Sequence, residues 1–184
     1  SDFKAANKKA LNVLGKGVTS LGFLFSDCSN ITKKDFDVLL KDICIEAAEI
    51  NLVCPDDNSN CAKLFAEYVS EGNWNNNEIL SSASIDPIGS FVLKGKIEKN
   101  AVSDLKQLIE KTKALAQFRP ITVHGKFFAN SGASIVQELA FSLAQGAEYL
   151  TQLSEARLNI DDVAKSIKFN FGIGNNYFME IAKL

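Results

Sequence analysis

Two hydrophobic rhythms alternate along the chain. Ala6, Ala10, Leu11 and Leu14 recur at helical spacing within Ala5–Gly15, and glycines at 15 and 17 close that segment. The next run, Val18 to Phe25, is apolar and short, and reads as a buried strand. The same exchange repeats downstream. Lys33–Ile43 sets Phe36, Leu39, Leu40 and Ile43 on one helical face, with Thr32 or Asn30 placed to cap it. Glu49–Cys54 is a strand stopped by Pro55-Asp56-Asp57, and Asn60–Glu71 is a helix ended by Gly72. Ser81–Asp86 is a strand broken at Pro87, and Lys99–Ala116 is a long amphipathic helix. Arg119–Gly125 is a strand, and Ser134–Glu155 is a helix opened by the capping box Ser134/Gln137. Asn159 caps Ile160–Lys165, Ile167–Phe171 is a strand, and a last helix begins at Asn175.

About five strands separated by helices imply parallel pairing with right-handed crossovers, an α/β fold. A complete (β/α)8 barrel takes about 250 residues. The expectation is therefore a partial (β/α)8 TIM-type barrel, about five parallel strands with flanking helices. A doubly wound sheet competes. However, Gly172-Ile173-Gly174 follows the last strand rather than the first and carries Tyr177 where the third fingerprint glycine belongs.

Within the strands one parity is small or polar: Ser20 and Gly22; Asn51; Ser82, Ser84 and Asp86; Thr122 and His124; Ser166, Lys168 and Asn170. The other is bulky, as in Leu21, Phe23 and Phe25, or Ile167, Phe169 and Phe171. Two readings stand. Either the small polar parity faces a wettable lumen, which makes Ser20, Ser84, Thr122 and His124 channel candidates, or it is simply solvated at strand ends.

Composition narrows the function classes. The 184 residues are 46% hydrophobic and 23% charged, with a formal charge of −2, which lacks the basic excess of a nucleic-acid binder. No apolar run reaches the roughly 18 residues of a membrane span. Cys28, Cys44, Cys54 and Cys61 contain no close pair and share a single histidine, so the spacing predicts no metal site but reduced thiols in a cytoplasmic protein.

The C-terminal run Phe169-Asn-Phe-Gly-Ile-Gly-Asn-Asn-Tyr-Phe-Met-Glu-Ile-Ala-Lys183 resembles a signature of the adenosylcobalamin-dependent methylmalonyl-CoA mutase family. Residues 6–22, Ile85-Asp86-Pro87-Ile88-Gly89, Gln137-Glu-Leu-Ala140 and Gly146-Ala-Glu-Tyr-Leu150 are similar to the family's small, non-catalytic subunit, in the family's order. The resemblance covers essentially the whole chain. It implies that residues 1–184 are a fragment of the acyl-CoA-binding (β/α)8 barrel domain, with the cobalamin-binding domain absent from this chain. The lack of a stop signal after Lys183 agrees with a piece of a longer polypeptide.

Further expectations follow from that resemblance. The family's barrel is threaded by the pantetheine arm of the acyl-CoA, which fits small polar residues at the axis. Catalytic chains carry G-Y-H-M-Q-E-A-G-A where this chain has Gly125-Lys-Phe-Phe-Ala-Asn-Ser-Gly-Ala133. Phe127 then takes the position of the catalytic His, and Asn130, on the Glu position, joins the channel candidates. The cobalamin box D-x-H-x-x-G has Thr122, His124 and Phe127 at its Asp, His and Gly, so the fragment is expected to bind no cofactor itself. No matching arginine segment lies near Asp86–Gly89. The implied role is a stabilising subunit paired with a catalytic large subunit, with self-association of the fragment through an unpaired sheet edge. A divergent catalytic acyl-CoA mutase chain is the alternative. A further one is an unrelated barrel enzyme using Lys94, Lys126 or Lys168 as a Schiff base.

Overall fold

A computed structural model describes residues 2–96 and 99–183. The chain order is helix α1 (Phe3–Leu14), strand β1 (Ser20–Leu24), α2 (Lys33–Leu39), β2 (Glu49–Val53), α3 (Asn60–Glu71), β3 (Ser81–Ile85) and α4 (Pro87–Lys94). It continues with α5 (Ala101–Thr112), β4 (Phe118–Val123), α6 (Lys126–Asn130), α7 (Ile135–Glu155), α8 (Ile160–Lys165), β5 (Ile167–Phe169) and α9 (Tyr177–Lys183). The five strands form one sheet in the order β1-β2-β3-β4-β5. Pairing is parallel, with Ser20 opposite Glu49, Ile50 opposite Ser81 and Ile121 opposite Ile167. This is the α/β arrangement expected for part of a (β/α)8 barrel.

Local chemistry explains the boundaries. Thr32 opens α2: its N–H and hydroxyl both donate to Asp35. That helix ends at Leu39, earlier than the apolar spacing implies, because Leu40 leaves helical geometry at φ −101° and ψ 7° and Asp42 turns to φ 61°. Ser134 and Gln137 form the expected reciprocal box at α7, and the Asn159 side chain accepts from Asp161 and Asp162 at α8. Two helices were not expected. Pro87, which reads as a strand stop, is the first residue of α4, where its missing N–H costs nothing. The other is the short α6 after β4. An extension of the last helix to Leu184 lies outside the described residues.

The chain divides into two compact units. One runs from the N-terminus to Ile85 and takes in Gln107–Pro120. Its core is aromatic: Phe36 meets Phe25, Phe65 and Tyr68 at ring-centroid distances of 6.4, 5.7 and 5.7 Å, and Phe65 meets Phe118 at 6.1 Å. On β1, Leu21 and Phe23 are buried while Leu24 is 80% exposed, so the alternation in the sequence separates two faces. The other unit comprises Asp86–Lys106 and the residues from Ile121 onward. There Ile121, Val123, Tyr149, Leu153 and Val163 form the core, and the charged residues Asp86, Glu138 and Lys183 are buried as well.

Candidate functional site

The polar parity of the first unit is a hydrogen-bonded ladder across three strands. Asn51 Nδ2 donates to Ser20 Oγ at 3.0 Å, and Ser82 Oγ donates to Asn51 Oδ1 at 2.5 Å. Ser20 keeps an exposed edge. Ser84 has a structural engagement instead: its Oγ accepts from the Cys54 N–H at 2.9 Å, holding the chain as it leaves β2.

In the second unit Asp86 is the hub. Its Oδ1 accepts from the Gly89 N–H at 3.0 Å, from the Tyr149 hydroxyl at 2.7 Å and from Gln145 Nε2, and its Oδ2 accepts from the His124 N–H at 3.0 Å. The same hydroxyl accepts from the Ile88 N–H at 3.0 Å. Burial, and next the negative Asp86 carboxylate, push the Tyr149 phenol well above its ordinary value, so it stays a donor. One buried carboxylate thus caps α4 and fixes the backbone at the end of β4.

That anchoring positions the remaining candidates. Thr122 and His124 share one parity of β4 and its exit; Thr122 is buried and His124 half-buried. The His124 ring lies 4.9 Å from the Phe127 ring at the start of α6, and Lys126 Nζ stands 5.9 Å from that phenyl. Gly125 makes this turn possible, because a Cβ there would come within 2.4 Å of Ser142 Oγ and 2.9 Å of Phe171. Asn130 is exposed at the end of α6. Thr122, His124 and Asn130 therefore belong to one unit, and Ser20 and Ser84 to the other. Of the lysines, Lys94 is exposed at the end of α4, and Lys168 lies on β5 opposite Thr122.

The glycine-rich signature after β5 forms a buried ion cluster that sequence periodicity could not reveal. Glu138, in the first turn of α7, accepts from the Gly172 N–H at 2.6 Å and from Lys183 Nζ at 2.9 Å. Lys183 Nζ also donates to the Gly172 carbonyl at 2.6 Å and pairs with Glu180 at 2.6 Å. Burial alone would lower the Lys183 ammonium, but Glu180 and Glu138 outweigh it and hold its pKa above the usual lysine value. Lys183 in turn holds Glu180 below the usual carboxylate range, against desolvation and with help from the Gly174 N–H. The only sequence hint was polarity at helix positions 138, 180 and 183 that face inward.

A third grouping was also hidden. Cys28, Cys54 and Cys61 are free and buried and stand together, whereas Cys44 is exposed. No helix among the described residues is long and apolar enough to cross a membrane.

Comparison with known proteins fits this geometry. Residues 28–184 match the family model described as methylmalonyl-CoA mutase. The chain is similar to the methylmalonyl-CoA mutase small subunit of Porphyromonas gingivalis, 38% identical over 179 residues, covering 97% of this chain and 29% of that protein. The small subunit of Propionibacterium freudenreichii subsp. shermanii is 28% identical over 187 residues, covering 100% of this chain and 28% of that protein. Human mitochondrial methylmalonyl-CoA mutase is 40% identical over 72 residues, 39% of this chain and 10% of that protein. The chain thus spans less than a third of the length of these relatives. With the family model spanning most of its residues, the chain belongs to the methylmalonyl-CoA mutase family.

Proposed function

We propose that this chain is part of a small, non-catalytic subunit of an adenosylcobalamin-dependent mutase that interconverts methylmalonyl-CoA and succinyl-CoA, and that it stabilises a catalytic large subunit. The observation that carries this reading is the turn after β4. There the chain places Phe127, a ring with no proton to give, against His124 and Lys126. Likeness along essentially the whole chain to two small subunits supports the same reading.

Cobalamin ligation does not fit the residues present. His124 is the single histidine, and its half-buried ring packs on Phe127, with Thr122 rather than an acid two residues before it. Ser20, Ser84, Thr122, His124 and Asn130 remain our candidates for lining an acyl-CoA channel. Of these, Ser84 is committed to the Cys54 backbone and is the weakest. Ile173, Tyr177, Phe178 and Ile181 are exposed around α9, an apolar patch suited to cover by further chain or by the large subunit. The unpaired thiols fit a cytoplasmic setting. With β1 at one end of the sheet order, self-association through that strand is part of the proposal, and light scattering at high concentration tests it.

The decisive experiment expresses the full-length subunit without its partner, supplies adenosylcobalamin and methylmalonyl-CoA, and measures succinyl-CoA. The expected result is no turnover alone and turnover on adding the large subunit. Turnover by the chain alone, at a rate comparable to the pair, would refute the reading in favour of a divergent catalytic chain. Phe127→His by itself is expected not to create activity, since the other catalytic groups are still missing.

A further inference from the structure

Three loop ends bring thiols to one point at the C-terminal end of β1 and β2. Cys28 lies in the segment after β1, Cys54 directly follows β2, and Cys61 is in the first turn of α3. Their sulfurs all lie within 4.8 Å of one another, and all three residues are buried. Specific bonds hold them there. Asn60 Nδ2 donates to the Cys28 carbonyl at 2.9 Å, Asn58 Oδ1 accepts from the Asn60 N–H at 3.0 Å, and Ser84 Oγ fixes the Cys54 N–H. The strand ends that carry the triad are the end at which parallel α/β sheets build their binding sites.

We propose that Cys28, Cys54 and Cys61 form a three-thiolate site for one divalent thiophilic d10 cation, zinc in the cell. A zinc–sulfur bond of about 2.3 Å sets tetrahedral sulfur–sulfur distances of about 3.8 Å, which the observed spread allows with small side-chain rotations. Cys61 stands in the first turn of the twelve-residue α3, on the rigid start of a helix. The negative charges of Asp27 and Asp57, felt by Cys28 and Cys54, disfavour extra thiolates alone but favour a cation among them. A divalent ion cancels two of the three thiolate charges and leaves one net negative charge at the site. The fourth position falls to water. Each sulfur that starts as a thiol releases one proton to solvent as its metal bond forms.

The test titrates cobalt(II) into the reduced, metal-free chain, then displaces it with zinc. The expected result is one cobalt per chain with thiolate-to-cobalt charge-transfer absorption, abolished by one equivalent of zinc. With zinc bound, thiol-reagent labelling of Cys28, Cys54 and Cys61, already slowed by burial, should slow further, while Cys44 reacts as before. Cys44→Ser should bind as the parent does, while Cys28→Ser, Cys54→Ser and Cys61→Ser should each lose roughly a hundredfold or more in zinc affinity. Circular dichroism of each variant separates lost ligation from lost fold. Absence of the charge-transfer band in the folded parent chain overturns the proposal whatever the variants do. So does a band that survives in Cys61→Ser.

Discussion

In the N-terminal unit the interior is rings and thiols: Phe25, Phe36, Phe65 and Phe118 meet edge to face or tilted, and Cys28, Cys54 and Cys61 adjoin one another. In the other unit the interior holds full charges, Asp86 under Tyr149 and Gln145, and Lys183 between Glu138 and Glu180. The first kind of interior is non-directional and sensitive to volume. The second is directional: it costs desolvation, and it holds only while every partner is present. Nature has put the charged interior under the family's signature sequence, where a loop and a helix must be placed to within a hydrogen bond. The difference teaches that these glycines and acids act by fixing position, where the rings act by filling volume.

The comparison breaks most sharply at Lys183. Lys183→Met should cost about 3–5 kcal/mol, because Glu138 is left buried and unpaired. Chemical denaturation measures the loss, and hydrogen exchange should place it around α9 and the Gly172 loop. Leu52→Ala in the first unit should cost about 3 kcal/mol through a cavity, with no dependence on salt or pH. A pH-dependent penalty there would erase the contrast. Tyr149→Phe removes one donor to Asp86 while keeping the ring, and about 1–2 kcal/mol is expected by thermal melting.

The smallest effect is on pH dependence. The folded Glu180 carboxyl lies below its ordinary 4.5, so its contribution is present above 4.5 and vanishes as pH falls through the folded value. The folded Lys183 ammonium lies above its ordinary 10.5, so its contribution is complete below 10.5 and vanishes as pH rises through the folded value. Protection around α9 should therefore fall at both extremes, and Lys183→Met should abolish the alkaline arm. An unchanged alkaline arm in that variant would show that another group carries it.

Much of the fold was legible because it rests on local signals. The strand alternation at Leu21 and Phe23, the capping box at Ser134 and Gln137, and the Asn159 cap all act within four residues. The two unexpected helices, α4 and α6, are short and begin two or three residues after a strand ends, at Pro87 and Lys126. The site was legible in part. The polar parity emerged as the Ser20–Asn51–Ser82 ladder. Asp86 with Tyr149, and Glu138 with Lys183, were not legible, because partners 63 and 45 residues apart leave no periodic trace. The thiol triad was hidden for a related reason: spacing rules look for close pairs, and here three separate backbone segments supply the proximity.

The strand order has a consequence for the chain during its own synthesis. Every strand lies beside the one made before it, from β1 through β5. When Ser20 has left the ribosome, its partner Glu49 follows within a few seconds at about 5–20 residues per second. No strand must wait for a distant partner, and none must be threaded between two already paired. A nascent chain of this kind can add one strand and one helix at a time, so the growing sheet never exposes more than the outer edge of β1 and its newest strand.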